Sequence, residues 1–139
     1  MQERIPQITR LVLGAILLIF GINKFAAFLP NFELQGDALA FMTALVGTGY
    51  IMPIVAIVEI AVGAMLVSNK YVPLALLLLA PISVNIVGFH AFLDPANIAP
   101  GLIVAAANLV LLFAYKPYYS GALTQDAVAN PAAAEKVHA

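Results

Sequence analysis

Ala80-Pro-Ile-Ser-Val-Asn-Ile-Val-Gly-Phe-His-Ala-Phe-Leu-Asp-Pro95 closes a long apolar run that begins near residue 71. The run from 71 to 93 has the length a bilayer core requires, about 20 residues. Yet it ends among Asn85, His90 and Asp94. Polar groups buried without partners in apolar surroundings cost several kcal/mol. These three side chains must therefore be satisfied by neighbouring helices or serve a function. The stretch reads as the outer half of a membrane-crossing helix that carries polar chemistry.

The rest of the chain supports that environment. Of 139 residues, 63% are hydrophobic and 9% charged, and the mean hydropathy is +1.01. A soluble domain carries roughly 25% charged residues, and a chain this short cannot hide so much apolar surface in a globular core. An integral protein of the lipid bilayer is the expectation. The net charge of −1 leaves no basic footprint, so nucleic acid is not an expected partner. There is no cysteine. Disulfides, thiol exchange, iron–sulfur ligation and cysteine-type zinc sites are excluded within the chain, and a redox role would need a borrowed cofactor or partner.

Three further spans are predicted, at about 8–28, 50–67 and 98–115. Arg4 and Arg10 precede the apolar core of the first, as basic residues do in a signal peptide, but no Ala-x-Ala site follows and Asn23-Lys24 interrupts where cleavage would fall. It reads as an uncleaved helix. Residues 29–37 form a loop with Asp37 as a helix N-cap. Residues 38–46 are apolar but too short to span, hence interfacial or re-entrant. Pro53 enters the next span in its first turn, where proline is tolerated. Ser68-Asn69-Lys70 is a tight turn, and Pro81 predicts a kink in the third span. The fold class expected is all-α, a four-helix transmembrane bundle running up-down-up-down over residues 1–117, with a flexible tail at 118–139.

Arg4, Arg10, Lys70, Lys116 and Lys136 fall on the side of the termini, and Lys24 alone falls toward the other. This excess predicts a multi-pass protein of the cell (inner) membrane with both termini cytoplasmic. Tyr50, Tyr71, Tyr115, Tyr118 and Tyr119 sit at span ends, as interfacial aromatics do. Phe25-Ala-Ala-Phe-Leu-Pro30-Asn31 echoes Phe89-His-Ala-Phe-Leu-Asp-Pro95-Ala-Asn97. The echo fits two related hairpins or chance in a chain of this composition.

Glu59 lies near the middle of the second span, on a stripe with Ala56 and Gly63. Gly14, Gly21 and Lys24 form a matching stripe on the first. At ~1.5 Å of rise per residue, Lys24 and Glu59 reach comparable depths. They are expected to form an ion pair or water-bridged pair, either as a functional site or as structural glue. On the third span His90 and Asp94 stand at i, i+4, where Asp94 can orient the imidazole. That pair either handles protons or a ligand, or anchors the loop. Asn85 can satisfy a carbonyl freed by Pro81. Asn108 joins Gly101 and Ala105 in a packing stripe, and Asn108 and Asn23 both read as interhelical glue. The candidate intramembrane polar site is therefore Lys24, Glu59, Asn85, His90 and Asp94. No residues are assigned a catalytic role. A metal site is not expected: His-x₃-His and Glu-x-x-His are both missing, as are phosphate-binding glycine loops, nucleophile elbows and dinucleotide fingerprints.

With those residues in hand, the chain resembles the DoxX family of membrane proteins. The likeness rests on Phe20-Gly-Ile-Asn-Lys-Phe25, on Gly49-Tyr50-x-x-Pro53 with Glu59 and Gly63, on Val72-Pro-Leu-Ala-Leu76, and most specifically on Ala80-Pro-Ile-x-Val-Asn-Ile-x-x-Phe-His-x-Phe-Leu-Asp94. It covers about residues 8–117. The resemblance implies a four-helix membrane bundle, and the family's name comes from a small subunit associated with thiosulfate:quinone oxidoreductase and terminal quinol oxidase activity. An accessory subunit of a quinone-linked redox complex, with quinone as cofactor and an oxidoreductase partner subunit, is the function it implies. The chain has no haem-ligand pair across its spans, so it is not expected to be an oxidase alone. Two alternatives compete. One is a small proton-coupled carrier, which with only four helices would need a homo-oligomer. The other is a non-catalytic assembly or scaffold factor in which every polar group serves packing.

Overall fold

The computed structural model describes residues 4–30 and 33–122. The order is α1 (Arg4–Ala26), α2 (Gly36–Gly47), α3 (Ile51–Ser68), α4 (Val72–Leu93), a 3-10 turn (Pro95–Asn97), α5 (Ile98–Ala114) and a closing 3-10 turn (Lys116–Tyr119). No strand occurs among the described residues. The protein is an all-α four-helix bundle. Four segments, Arg4–Ala26, Ile51–Ser68, Val72–Leu93 and Pro95–Ala114, are long and apolar enough to cross a membrane.

Each long helix packs on its sequence neighbour, α1 on α3, α3 on α4 and α4 on α5, and α1 closes the ring against α5. The core inside the ring is aliphatic: Leu13 and Leu17 from α1, Val62 and Leu66 from α3, Leu76 and Leu79 from α4, Leu111 from α5. The outside is equally apolar. Ile57 on α3, Val84 on α4 and Phe113 on α5 are 60–71% exposed. Side chains this apolar facing outward suit a lipid surround and would be an aggregation liability in water.

Local chemistry sets the helix ends. Asn69 adopts a left-handed conformation (φ 57°) at the end of α3, and the N–H of Lys70 donates back to the Met65 carbonyl at 3.0 Å. This closes the tight turn in the αL fashion that asparagine tolerates. Pro53 and Pro73 fall in first turns, where no N–H is needed. α4 runs unbroken through Pro81. Asn23, expected to bond between helices, makes a local bond: its Oδ1 accepts from the Leu29 N–H at 2.7 Å, tying off the chain as it leaves α1. The cap of α2 is Gln35 rather than Asp37, which sits inside the first turn. There its charge complements the helix dipole without a capping bond.

The tail expected from residue 118 begins with structure. Tyr119 is buried and its hydroxyl donates to the Pro73 carbonyl at 3.4 Å. Burial, and then the neighbouring Tyr115, push the Tyr119 phenol above its ordinary pKa, so it stays a neutral donor. Residues 123–139, with His138, lie outside the described residues.

Candidate functional site

The α1–α3 seam positions the central pair. Its glycines let the two backbones touch: a β-carbon on Gly63 would stand 2.8 Å from the Gly14 carbonyl oxygen, and one on Gly21 3.1 Å from the Ala56 carbonyl and from Glu59 Cβ. With α3 this close, Glu59 projects beside Gly21 one turn from Lys24. Lys24 Nζ lies 2.6 Å from Glu59 Oε2, with the lysine side chain 23% exposed and the glutamate 4%.

At the other end of the cavity the chemistry comes from α4. His90 Nδ1 lies 3.4 Å from Asp94 Oδ2. The expected hydrogen bond is not made, and Nδ1 is buried without a partner. Asn97 in the 3-10 turn shares that carboxylate: its Nδ2 reaches both oxygens of Asp94, at 3.0 and 3.1 Å. The imidazole is held by packing instead. Phe89 meets it edge-on at 5.0 Å between centroids, and α5 comes close enough that a β-carbon on Gly101 would lie 3.2 Å from His90 Cδ2.

Lys24, Glu59, Asn85, His90 and Asp94 all line one half-open cavity of about 1260 Å³ between the helices. Its remaining walls are mostly apolar, with Phe41 and Met42 from α2, Leu17 from α1 and Val104 from α5. Phe41 leans on Phe89 at 5.8 Å, so α2 forms part of the wall. Asn85 donates to its own i−4 carbonyl, that of Pro81, at 2.9 Å. The carbonyl that Pro81 leaves without a donor belongs to Leu77, so Asn85 does not serve it.

Asn108 stands apart from the cavity, in the α4–α5 seam. Its amide meets Ser83 Oγ at 3.1 Å. With Nδ2 donating to the Leu76 carbonyl at 3.3 Å, Oδ1 accepts from the Ala80 N–H at 3.2 Å and from Ser83. One side chain thus reaches both groups of an i→i−4 backbone pair just before Pro81. No group of three metal-holding side chains occurs among the described residues.

Arg10 was legible only as a charge that sets topology. It is 7% exposed, and its Nη1 donates to the Leu66 carbonyl and, at 3.4 Å, to that of Val67. It adds a charged donor at the end of α3, to a Leu66 carbonyl that already accepts from the Asn69 N–H at 3.3 Å and to that of Val67. The signal was present: Arg10, Gly14, Leu17, Gly21 and Lys24 step by four and three residues along one face of α1. Arg10→Met is expected to lower stability in detergent by ~1–3 kcal/mol, the loss of hydrogen bonds from a charged donor. A thermal melt read by intrinsic tyrosine signal measures it. An unchanged melt would mean that water already serves those carbonyls.

Comparison with protein-family models, with curated proteins and with solved structures finds no match for this chain.

Proposed function

We propose that this chain is a DoxX-type accessory subunit of a quinone-linked redox complex, set in the cell membrane with both termini cytoplasmic. The observation that carries the reading is the convergence of Lys24, Glu59, Asn85, His90 and Asp94 on one largely apolar cavity. A scaffold whose polar groups serve only packing has no use for this. Arg10, Asn23 and Asn108 bond backbone groups away from the cavity, whereas Lys24, Glu59 and His90 line it.

A quinone head group suits that inventory. Lys24 spends one of its three donors on Glu59 and can present another to a carbonyl oxygen. Glu59 Oε1 can accept from a hydroxyl, and Phe41 and Phe89 offer ring faces. When bound, the quinone would supply the electron-accepting chemistry that the side chains lack. The chain's own residues bind and orient the head group and hold a proton at the Glu59 carboxyl or the His90 ring. Electrons must come from a partner oxidoreductase.

Gentle extraction from native membranes tests this. Quinone should be recovered in the lipid extract at near one per chain, together with an oxidoreductase. Retention should fall at least about tenfold, ~1.4 kcal/mol, in folded Lys24→Met/Glu59→Gln. Recovery of the chain alone, without quinone, would remove the reading.

A further inference from the structure

The charges around the cavity restrict its occupant. Those lining it are Lys24 from α1, Glu59 from α3, the titratable His90 from α4 and Asp94 just past its end, while α2 and α5 contribute none. The single permanent cation is already 2.6 Å from a carboxylate. An anionic head group would have to share that ammonium with Glu59, bringing two negative charges together where the dielectric is low. A cationic one would meet Lys24 but also the Asp94 carboxylate, so it is the anion that this lining disfavours.

Size points the same way. About 1260 Å³ exceeds the roughly 300–1,000 Å³ of ordinary small-molecule sites. The cavity is half-open, and Val84 and Phe92, which line it, are 71% and 87% exposed on the apolar exterior. The mouth therefore opens sideways, where a long apolar tail can leave.

We propose that the cavity takes amphiphiles with a long apolar tail and prefers an uncharged polar head to an anionic one, and that Glu59 is the specificity residue that turns anionic lipids away by occupying Lys24. This rests on the reading of the cavity as a ligand site and narrows what it takes. Removing the carboxylate would free an ammonium inside an apolar cavity and convert the site into an anion binder.

Two probes with the same diazirine-bearing alkyl chain, one ending in an alcohol and one in a sulfonate, separate the cases. Each is photolysed with the full chain in neutral-lipid nanodiscs, and labelled residues are mapped by mass spectrometry. In the native chain the alcohol should label wall residues such as Phe41, Met42 and Phe89 at least about tenfold more than the sulfonate, a difference of ~1.4 kcal/mol. Glu59→Gln should raise sulfonate labelling by about tenfold or more, and Lys24→Met/Glu59→Gln should return it to the native level. Equal labelling of the native chain by both probes would overturn the selectivity while leaving a ligand site. That comparison needs no variant to fold. No gain of sulfonate in folded Glu59→Gln would overturn the role of Glu59. Labelling of the wall by neither probe would overturn the ligand site itself, and the quinone reading with it.

Discussion

Gly63→Leu is expected to abolish the folded bundle, with loss of detergent-soluble protein or a melting transition too low to measure. The contact at this position is backbone against backbone. An added β-carbon would sit 2.8 Å from the Gly14 carbonyl oxygen and 3.0 Å from the Leu18 nitrogen, and neither atom can yield without moving α1. Alanine alone should cost ~1–3 kcal/mol, as overpacked cores do. Leucine adds three more carbons with no space for them, so the loss should exceed that range. The damage should also be specific. Once α1 is wedged away, Lys24 no longer reaches Glu59, and the cavity loses one wall. Gly88→Ala provides the control, since nothing lies within 4 Å of its would-be β-carbon. That variant should stay within about 0.5 kcal/mol of the parent. A Gly63→Leu protein that melts close to the parent would mean that the α1–α3 seam does not hold the ring together.

How far this architecture could be read in advance depends on how local its signals are. The seam was legible because glycines and charges repeat at helical spacing, and spacing survives translation into three dimensions. Lys24 and Glu59 could be paired because rise per residue gives depth, and depth decides which polar groups can meet across antiparallel helices. Arg10 lay on the same face, but an arginine near a span end looks the same whether it sets topology or caps a neighbour, and only the close approach of α3 distinguishes them. The i, i+4 rule that pairs Asp94 with His90 holds within helices. Here α4 ends at Leu93, and the following 3-10 turn brings Asn97 onto the carboxylate first. The cavity was invisible for a related reason. Past Asp37 in its first turn, α2 carries only Thr43 as a polar side chain, so its pattern names no face, and whether it fills the space between α3 and α4 or stands over it is a tertiary outcome.

The second large effect concerns what happens when one member of the central pair is removed. Lys24→Met is expected to cost more than Glu59→Gln. The glutamate side chain is 4% exposed and has nowhere to take its charge, whereas the lysine, at 23%, can extend its amine toward water. Breaking a buried pair on one side typically costs 3–5 kcal/mol. Discounted for the exposure of the lysine, about 3 kcal/mol is expected for Lys24→Met and about half that for Glu59→Gln. The double variant Lys24→Met/Glu59→Gln, which strands no charge, should recover most of the loss and lie within about 1 kcal/mol of the parent. The coupling from that cycle should exceed the ~0.6 kcal/mol average of interhelical hydrogen bonds in membranes. pH separates the mechanism from simple loss of packing. Acidification can neutralise a stranded carboxylate, so the deficit of Lys24→Met should shrink as pH falls while that of Glu59→Gln should not. Unfolding in mixed micelles between pH 8 and pH 5 (bracketing values anchored in the ordinary range of carboxyl and imidazole titration) reads both trends. Parallel deficits at both ends of that range would mean that Lys24 contributes through its aliphatic stem, and the two charges would have to be treated as neighbours rather than partners.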